Sequence, residues 1–429
     1  MFGTSGIRGI YGKDITEELA LKIGNVFSKD NLFVARDLRQ SGITLSIAVS
    51  AGALAAGSDV IDIGIAPTPT LAYAARAGRG IMVTASHNPP EYNGLKLVEN
   101  AKEIGKKLEQ EVIEKYNKPI IRSDIGDFSH NSEVIEEHKQ MILGMVDRKL
   151  IEKKKPKIIA DCNGAAAVIT PYLLSELGCK VVSVNSSLEC FNRPSEPNET
   201  NLAHLLDIVR ETGADFGIGH DGDGDRCVII DEKGSMLPFD VQLAMMIEHE
   251  LERSSNKRIV STVEASLAIR EVVEKNGGEI EITPVGSTYV GESIEKNNAL
   301  FGGEPCGEYI YSGGVHVPDA PLAVAKFVEI FCEGGKFSEL RKKYKENFIA
   351  REKFQAKEKH NTVEKVKKSL NIDGKVRDDD GVRIDEEDGW LLVRASGTEP
   401  VVRLTMEYKT KEKLEKRKGE IKTLIEMHL

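Results

Sequence analysis

One pattern occurs three times in this chain, at intervals of about a hundred residues: a short β-rich run, a helical run, a glycine-bearing turn and a second β-rich run. The first copy runs from Leu32-Phe33-Val34-Ala35 through a helix near Thr44 to Ala56, then past Gly57 to Val60-Ile61-Asp62-Ile63. The second runs from Lys157-Ile158-Ile159-Ala160 through a helix near Ala166 to Leu177, then past Gly178 to Val181-Val182-Ser183-Val184. The third runs from Ile259-Val260-Ser261-Thr262 through a helix near Ser266 to Lys275, then past Gly277 and Gly278 to Ile280-Glu281-Ile282. A helix that carries the chain back to the start of the next strand leaves the two strands parallel. Three copies therefore predict three similar α/β domains with parallel or mostly parallel sheets. The last part reads differently. Val382-Arg383-Ile384, Trp390 to Arg394 and Val401 to Met406 are strand-like, and a charged helix follows from about Lys411, which predicts a smaller α+β domain. At 429 residues the chain exceeds a single core. The expected divisions are 1–147, 148–252, 253–346 and 347–429.

Charge narrows the partners. The net charge is −10, and nonspecific nucleic-acid binding needs clustered Lys and Arg, so no nucleic-acid partner is expected. The six cysteines form no C-x-x-C pair and several lie in apolar runs, so a reducing, cytoplasmic setting is expected rather than a disulfide scaffold. No apolar run suggests a membrane span, and the opening MFGTSGIRG does not read as a secretory leader.

Four segments carry chemistry. Thr84-Ala85-Ser86-His87-Asn88-Pro89-Pro90 follows the apolar run Ile81-Met82-Val83, so it is a loop beyond the carboxyl end of a strand, where open α/β sheets bind ligands. Its prolines stiffen it, and Ser86 suits a nucleophile or phosphate carrier; an ordinary Ser/Asn/Pro turn is the competing reading. In Asp221-Gly222-Asp223-Gly224-Asp225-Arg226, glycines between the carboxylates let all three converge, and a hard divalent cation such as Mg2+ would relieve their repulsion. An EF-hand is rejected, because Arg226 stands where that loop needs Gly and the flanks look like strands. Arg394-Ala395-Ser396-Gly397-Thr398-Glu399-Pro400, with Arg403 beyond, joins two strands and offers the backbone N–H groups, hydroxyls and guanidinium of an anion nest, with a plain hairpin as the alternative. Gly302-Gly303-Glu304-Pro305-Cys306-Gly307-Glu308 is weaker alone; Glu304 suits sugar hydroxyls, and a structural loop competes.

Taken together and in their order along the chain, the four segments resemble the α-D-phosphohexomutase family of phosphoglucomutases, phosphomannomutases and phosphoglucosamine mutases. The compact FGTSGIRG opening is most similar to archaeal phosphoglucosamine mutases. The resemblance spans essentially the whole chain and implies four domains around a central cleft. It implies that Ser86 is the phosphoserine and that Asp221, Asp223 and Asp225 bind one Mg2+ per chain together with the Ser86 phosphate. It places Ser5 and Arg8 of the opening loop at the cleft, makes Lys96 of Asn93-Gly94-Leu95-Lys96 a general acid/base and sets His87 beside the nucleophile. Arg226 would contact a phosphate near the metal. Glu304 would read the sugar hydroxyls, and Gly286 of Thr283-Pro284-Val285-Gly286 would help bind the sugar in either orientation. Arg394, Ser396, Gly397, Thr398 and Arg403 would hold the non-reacting phosphate.

The implied reaction moves a phosphate from Ser86 to a hexose or hexosamine monophosphate, turns the 1,6-bisphosphate over and returns its other phosphate to Ser86. A hexosamine 1,6-bisphosphate is then both intermediate and activator, and no redox cofactor is needed. The family loop GE-x-SG reads Glu304-Pro305-Cys306-Gly307-Glu308 here. A thiol is a poorer donor than a hydroxyl, and Glu308 adds negative charge suited to an ammonium group. Glucosamine 6-phosphate and glucosamine 1-phosphate are therefore the expected pair, with mannose or glucose phosphates as the near alternative. A catalytically silent sugar-phosphate binder and a metal-dependent phosphatase are the distant ones. A homodimer is compatible with all of these.

Overall fold

A computed structural model describes residues 1–3, 5–345, 347–370, 374–397 and 400–429. Thr4 of the opening loop, and Thr398 and Glu399 of the last of the four segments along the chain, lie outside the described residues.

The three repeats form three sheets with one shared plan. In the first, strands Asn31–Arg36, Asp59–Ile65, Arg79–Val83 and Tyr92–Glu99 lie side by side as fourth, third, first, second. Strands Lys157–Asp161, Lys180–Val184, Phe216–His220 and Cys227–Ile230 repeat that order, as do Arg258–Thr262, Glu279–Thr283, Phe301–Glu304 and Glu308–Tyr311. Each time the first three strands are mutually parallel and the fourth returns antiparallel. The sheets are thus mixed. The first is widened by Ile7–Ile10, Lys102–Glu103 and Phe128–His130. A helix fills each connection between consecutive parallel strands. Gly42–Ala55 and Leu267–Lys275 follow the sequence expectation, the latter capped by the Ser266 hydroxyl, which accepts the Ile269 N–H.

The expected helix from Ala166 to Leu177 is broken. A 3-10 turn at Ala165–Val168 precedes the helix Thr170–Glu176. Pro171 sits in its first turn, where a missing N–H costs nothing, so the proline restarts the helix rather than interrupting it.

The fourth sheet is wholly antiparallel, in the order Phe348–Gln355, Val401–Tyr408, Gly389–Ala395, Val382–Glu386, Lys375–Arg377. It adds to the expectation two edge strands, Phe348–Gln355 and Lys375–Arg377, and a helix, Lys359–Ser369. The closing helix Lys411–Glu426 packs Leu414, Ile421 and Ile425 against this sheet. The largest apolar cluster runs without a break through the second and third sheets, from Ile158 and Phe216 to Phe301 and Phe327. Shared burial on this scale couples the two sheets mechanically.

The last domain rests on the third sheet through a buried arginine. Arg383 is 1% exposed, stacks at 3.9 Å on the Trp390 ring and donates to the carbonyl oxygens of Val263 and Ala265. Glu407 accepts from Trp390 Nε1 at 2.6 Å and from the Leu267 N–H at 2.8 Å.

Candidate active site

The common plan explains where the functional loops lie. In each of the three α/β sheets the connection from third to fourth strand carries one of the singled-out segments: Ser86 after Arg79–Val83, the aspartates after Phe216–His220, and Cys306 after Phe301–Glu304. All three connections leave the carboxyl end of a parallel strand. They also touch. Ser86 Oγ donates to Asp221 Oδ2 at 2.7 Å, Arg226 pairs with Glu308 at 2.6 Å, and the Cys227 N–H donates to the Gly307 carbonyl at 3.1 Å.

Ser86 is 1% exposed and adopts φ 49°, a left-handed conformation that a non-glycine residue holds only when its surroundings impose it. The surroundings are Arg39 and Thr84, neither of which sequence reasoning singled out. Every nitrogen of the buried Arg39 guanidinium is engaged. Nε donates to Asp37 at 3.0 Å, Nη1 to the carbonyls of Pro89 and Tyr92, and Nη2 to the carbonyls of Ser86 and Asn88 at 2.8 Å each. Thr84 Oγ1 accepts the Ser86 N–H at 2.8 Å and donates to Asp37 at 2.7 Å. A cue was present, since Arg36-Asp37-Leu38-Arg39 follows a strand end, but its partners lie about fifty residues on.

Asp221, Asp223 and Asp225 are all buried, with ligand oxygens within 4.8 Å of one another. The alternating glycines have specific reasons. A Cβ on Gly222 would sit 2.7 Å from the Ser86 carbonyl oxygen, and Gly224 has φ 66°. Burial and the neighbouring carboxylates raise the pKa of Asp221 and Asp225. At Asp223 burial is outweighed by the Lys96 ammonium and by the Lys96 and Thr68 hydrogen bonds, and its pKa falls. Lys96 Nζ lies 2.7 Å from Asp223 Oδ2 and 2.5 Å from Asp225 Oδ2. Burial opposes its charge, but the two carboxylates prevail and raise its pKa. Lys96 is therefore an ammonium here.

Two buried oxygens, Asp223 Oδ1 and Asp225 Oδ1, have no hydrogen-bond partner. An orphaned carboxylate oxygen carries a desolvation penalty that a cation removes. Three converging carboxylate oxygens form a hard donor set matching Mg2+. The residues present fit the ion.

His87 Nδ1 is 3.3 Å from Ser86 Oγ, and its Nε2 faces Glu196 at 3.8 Å. Burial, then the Arg226 and Arg8 guanidinium groups, hold its pKa well below the ordinary imidazole value, so it is neutral. Arg8 Nε is buried without a hydrogen-bond partner. Ser5 Oγ donates to Glu103, which also accepts from Ser287 and Thr288, so Glu103 joins the opening loop to the third domain.

In the third-domain loop, burial, then Glu308 and Glu264, push the Glu304 carboxyl well above the usual range. Its Oε2 accepts the Gly286 N–H at 3.3 Å. Burial and Glu308 likewise keep Cys306 a neutral thiol. Glu308 is 7% exposed and committed to Arg226, so a guanidinium matches the negative charge expected over the sugar.

Arg394 and its neighbours in the last domain meet the third domain. Arg394 Nε donates to Glu264 at 3.2 Å, the Val285 N–H donates to Asp380, and Lys359 Nζ donates to the Ser396 carbonyl. Gly397 is exposed. Arg394 and Arg403 are directly opposed across two strands. Like charges so placed repel, which an anion between them would relieve.

Comparison with known proteins defines the class first. The fold matches that of a phosphoglucomutase/phosphomannomutase family protein from Burkholderia thailandensis with a TM-score of 0.88 at 26% identity, covering 99% of this chain and 97% of that one. This is the four-domain α/β architecture of the phosphohexomutases. Models of phosphoglucomutase/phosphomannomutase α/β/α domains I, II and III match residues 1–120, 136–234 and 239–348, and that of the C-terminal domain matches 343–424. A Methanosarcina acetivorans protein named "Probable phosphoglucosamine mutase" is 42% identical over 96% of both chains. A Thermococcus kodakarensis protein named "Phosphoglucomutase/phosphomannomutase" is 39% identical over 96% of this chain and 95% of its own. The chain belongs to the phosphoglucomutase/phosphomannomutase family. It is an enzyme of the isomerase class that moves a phosphoryl group within its substrate. Among the described residues no helix is long and apolar enough to cross a membrane.

Proposed function

We propose that this enzyme interconverts glucosamine 6-phosphate and glucosamine 1-phosphate through a phosphate carried on Ser86 and a 1,6-bisphosphate intermediate. The carrying observation is the contact of Ser86 Oγ with Asp221 Oδ2 at 2.7 Å, beside two carboxylate oxygens that lack partners. Asp221, Asp223 and Asp225 would hold one Mg2+, which would neutralise phosphoryl oxygens during transfer.

In each transfer the P–O bond to one oxygen breaks as the bond to another forms, and one proton moves from the attacking hydroxyl to the departing oxygen. Lys96 is held as an ammonium by Asp223 and Asp225, which strengthens its grip on the proton, so it would give that proton only once a cation engages those carboxylates. Neutral His87, with Nδ1 facing Ser86 Oγ, is suited to accept one when Ser86 attacks. Arg226 and Arg8 supply positive charge on the same side of the cleft. Glu304, protonated by its surroundings, can both donate to and accept from sugar hydroxyls. Arg394, Ser396, Gly397, Thr398 and Arg403 would hold the distal phosphate, with that phosphate displacing Glu264 from Arg394.

The choice of amino sugar rests on the name carried by the Methanosarcina relative, since the Glu308 charge is matched by Arg226 and adds nothing to it. The name of the Thermococcus relative favours glucose and mannose phosphates as the second reading. Coupled assays on glucosamine, glucose and mannose 6-phosphates decide between them. A kcat/KM at least about tenfold higher for glucosamine 6-phosphate is expected. Absence of its turnover, with turnover of either neutral sugar, overturns the amino-sugar reading.

A further inference from the structure

The helix Thr68–Ala74 belongs to the first sheet, yet its first residue is bonded to the aspartate loop of the second. Thr68 is fully buried and meets Asp223 at two points. Its N–H donates to the Asp223 carbonyl at 2.9 Å, and its Oγ1 donates to Asp223 Oδ2 at 2.6 Å. Oδ2 also accepts from Lys96. One oxygen of Asp223 is therefore saturated by two donors, while Oδ1 is buried with none.

A carboxylate turns about its last torsion with little intrinsic preference between its two faces. What decides which oxygen faces the ion is the set of donors on the other. We propose that Thr68 is a positioning residue for metal binding, its hydroxyl fixing Asp223 so that Oδ1 is presented to the cation. The inference rests on the reading of the three aspartates as a Mg2+ site.

The helix is itself held from its other side. Asp319 Oδ2 accepts from His138 Nε2 at 3.0 Å, which leaves Nδ1 to accept the Thr70 hydroxyl at 2.9 Å. Asp319 in turn caps the helix Ala320–Gly334. All three side chains are buried. Thr68 is thus anchored through Thr70 to the third domain, while its hydroxyl reaches the second. The two threonines stand on one short helix with different partners, which separates the metal-facing role from plain helix packing.

The test is Mn2+ binding to the full chain, measured by electron paramagnetic resonance at matched Ser86 phosphorylation, with the melting temperature recorded for each variant. Mn2+ shares the oxygen-rich octahedral preference of Mg2+. Thr68→Val keeps the shape and removes the hydroxyl. Its Kd for Mn2+ is expected to rise about 10- to 100-fold, the usual loss when a partner of a metal ligand is removed. Thr68→Ser keeps the hydroxyl and should stay within about threefold of wild type, and Thr70→Val should lower the melting temperature without moving Kd. If Thr68→Val does not fold, Thr68→Ala carries the same expectation. A Thr68→Val or Thr68→Ala protein with the wild-type Kd overturns the inference, as does an equal rise in Thr70→Val. Wild-type protein that binds no Mn2+ overturns instead the underlying metal reading.

Discussion

Replacing Arg39 by Met should damage both stability and catalysis, and the size of each follows from the donors lost. The guanidinium satisfies the carbonyls of Ser86, Asn88, Pro89 and Tyr92 and the Asp37 carboxylate. Methionine matches only its unbranched stem and satisfies none of them. A hydrogen bond to a charged group contributes about 1.5–3 kcal/mol, but five on one group do not add. Removing one partner of a buried ion pair costs about 3–5 kcal/mol, so about 4 kcal/mol is a fair expectation here. At about 2–4 °C per kcal/mol for a domain of this size, the melting transition should fall by roughly 8–16 °C. Ser86 would also lose the contacts that impose its left-handed backbone. A displacement of about 1 Å at the reacting oxygen lowers kcat by about 100-fold. Arg39→Lys should fall between, because an ammonium can pair with Asp37 but cannot span four carbonyls. The assay is calorimetry paired with steady-state mutase kinetics. An Arg39→Met protein melting within about 2 °C of wild type with undiminished kcat would refute the reasoning.

Arg383→Met should loosen the last domain, since it removes the bonds to the carbonyls of Val263 and Ala265 and the stack on Trp390; faster proteolysis near residue 347 with the first three domains intact is expected, and an unchanged digestion rate would count against it. The Cys179 thiol is pushed up to about 12 from 9.0 by burial and by Cys332, so the folded state keeps a proton that the unfolded chain gives up above pH 9. Its contribution is whole below pH 9 and is lost between 9 and 12, so the stability difference between wild type and Cys179→Val should shift against wild type by up to about 4 kcal/mol over that window. Urea titrations at pH 8 and pH 11 read this, and parallel curves for the two proteins would contradict it.

The three βαβ repeats were legible because their signals are local: β-branched strands, helical runs and glycine turns within about thirty residues. The alternation Asp221-Gly222-Asp223-Gly224-Asp225 was equally local. The edge strand Phe348–Gln355 escaped because it is largely exposed and shows no clean apolar alternation. The helix break before Thr170 hinged on a proline whose effect depends on its place in the turn. Arg39, Thr68 and Glu103 stayed hidden for a different reason. Their partners lie 47 to 53, 155 and up to 185 residues away, and no local period records a contact made by folding. The pairing of Glu308 with Arg226 is of the same kind, since the segments that carry them meet only when the second and third sheets pack together.

On the proposed mechanism, Ser86 carries the phosphate in transit. Incubating the enzyme with radiolabelled glucosamine 1,6-bisphosphate, quenching it and mapping the labelled peptide tests this directly. Label is expected on Ser86, chased into sugar phosphate when unlabelled glucosamine 6-phosphate is added, and none on Ser86→Ala. Full turnover by Ser86→Ala, or label released only as inorganic phosphate, would contradict it.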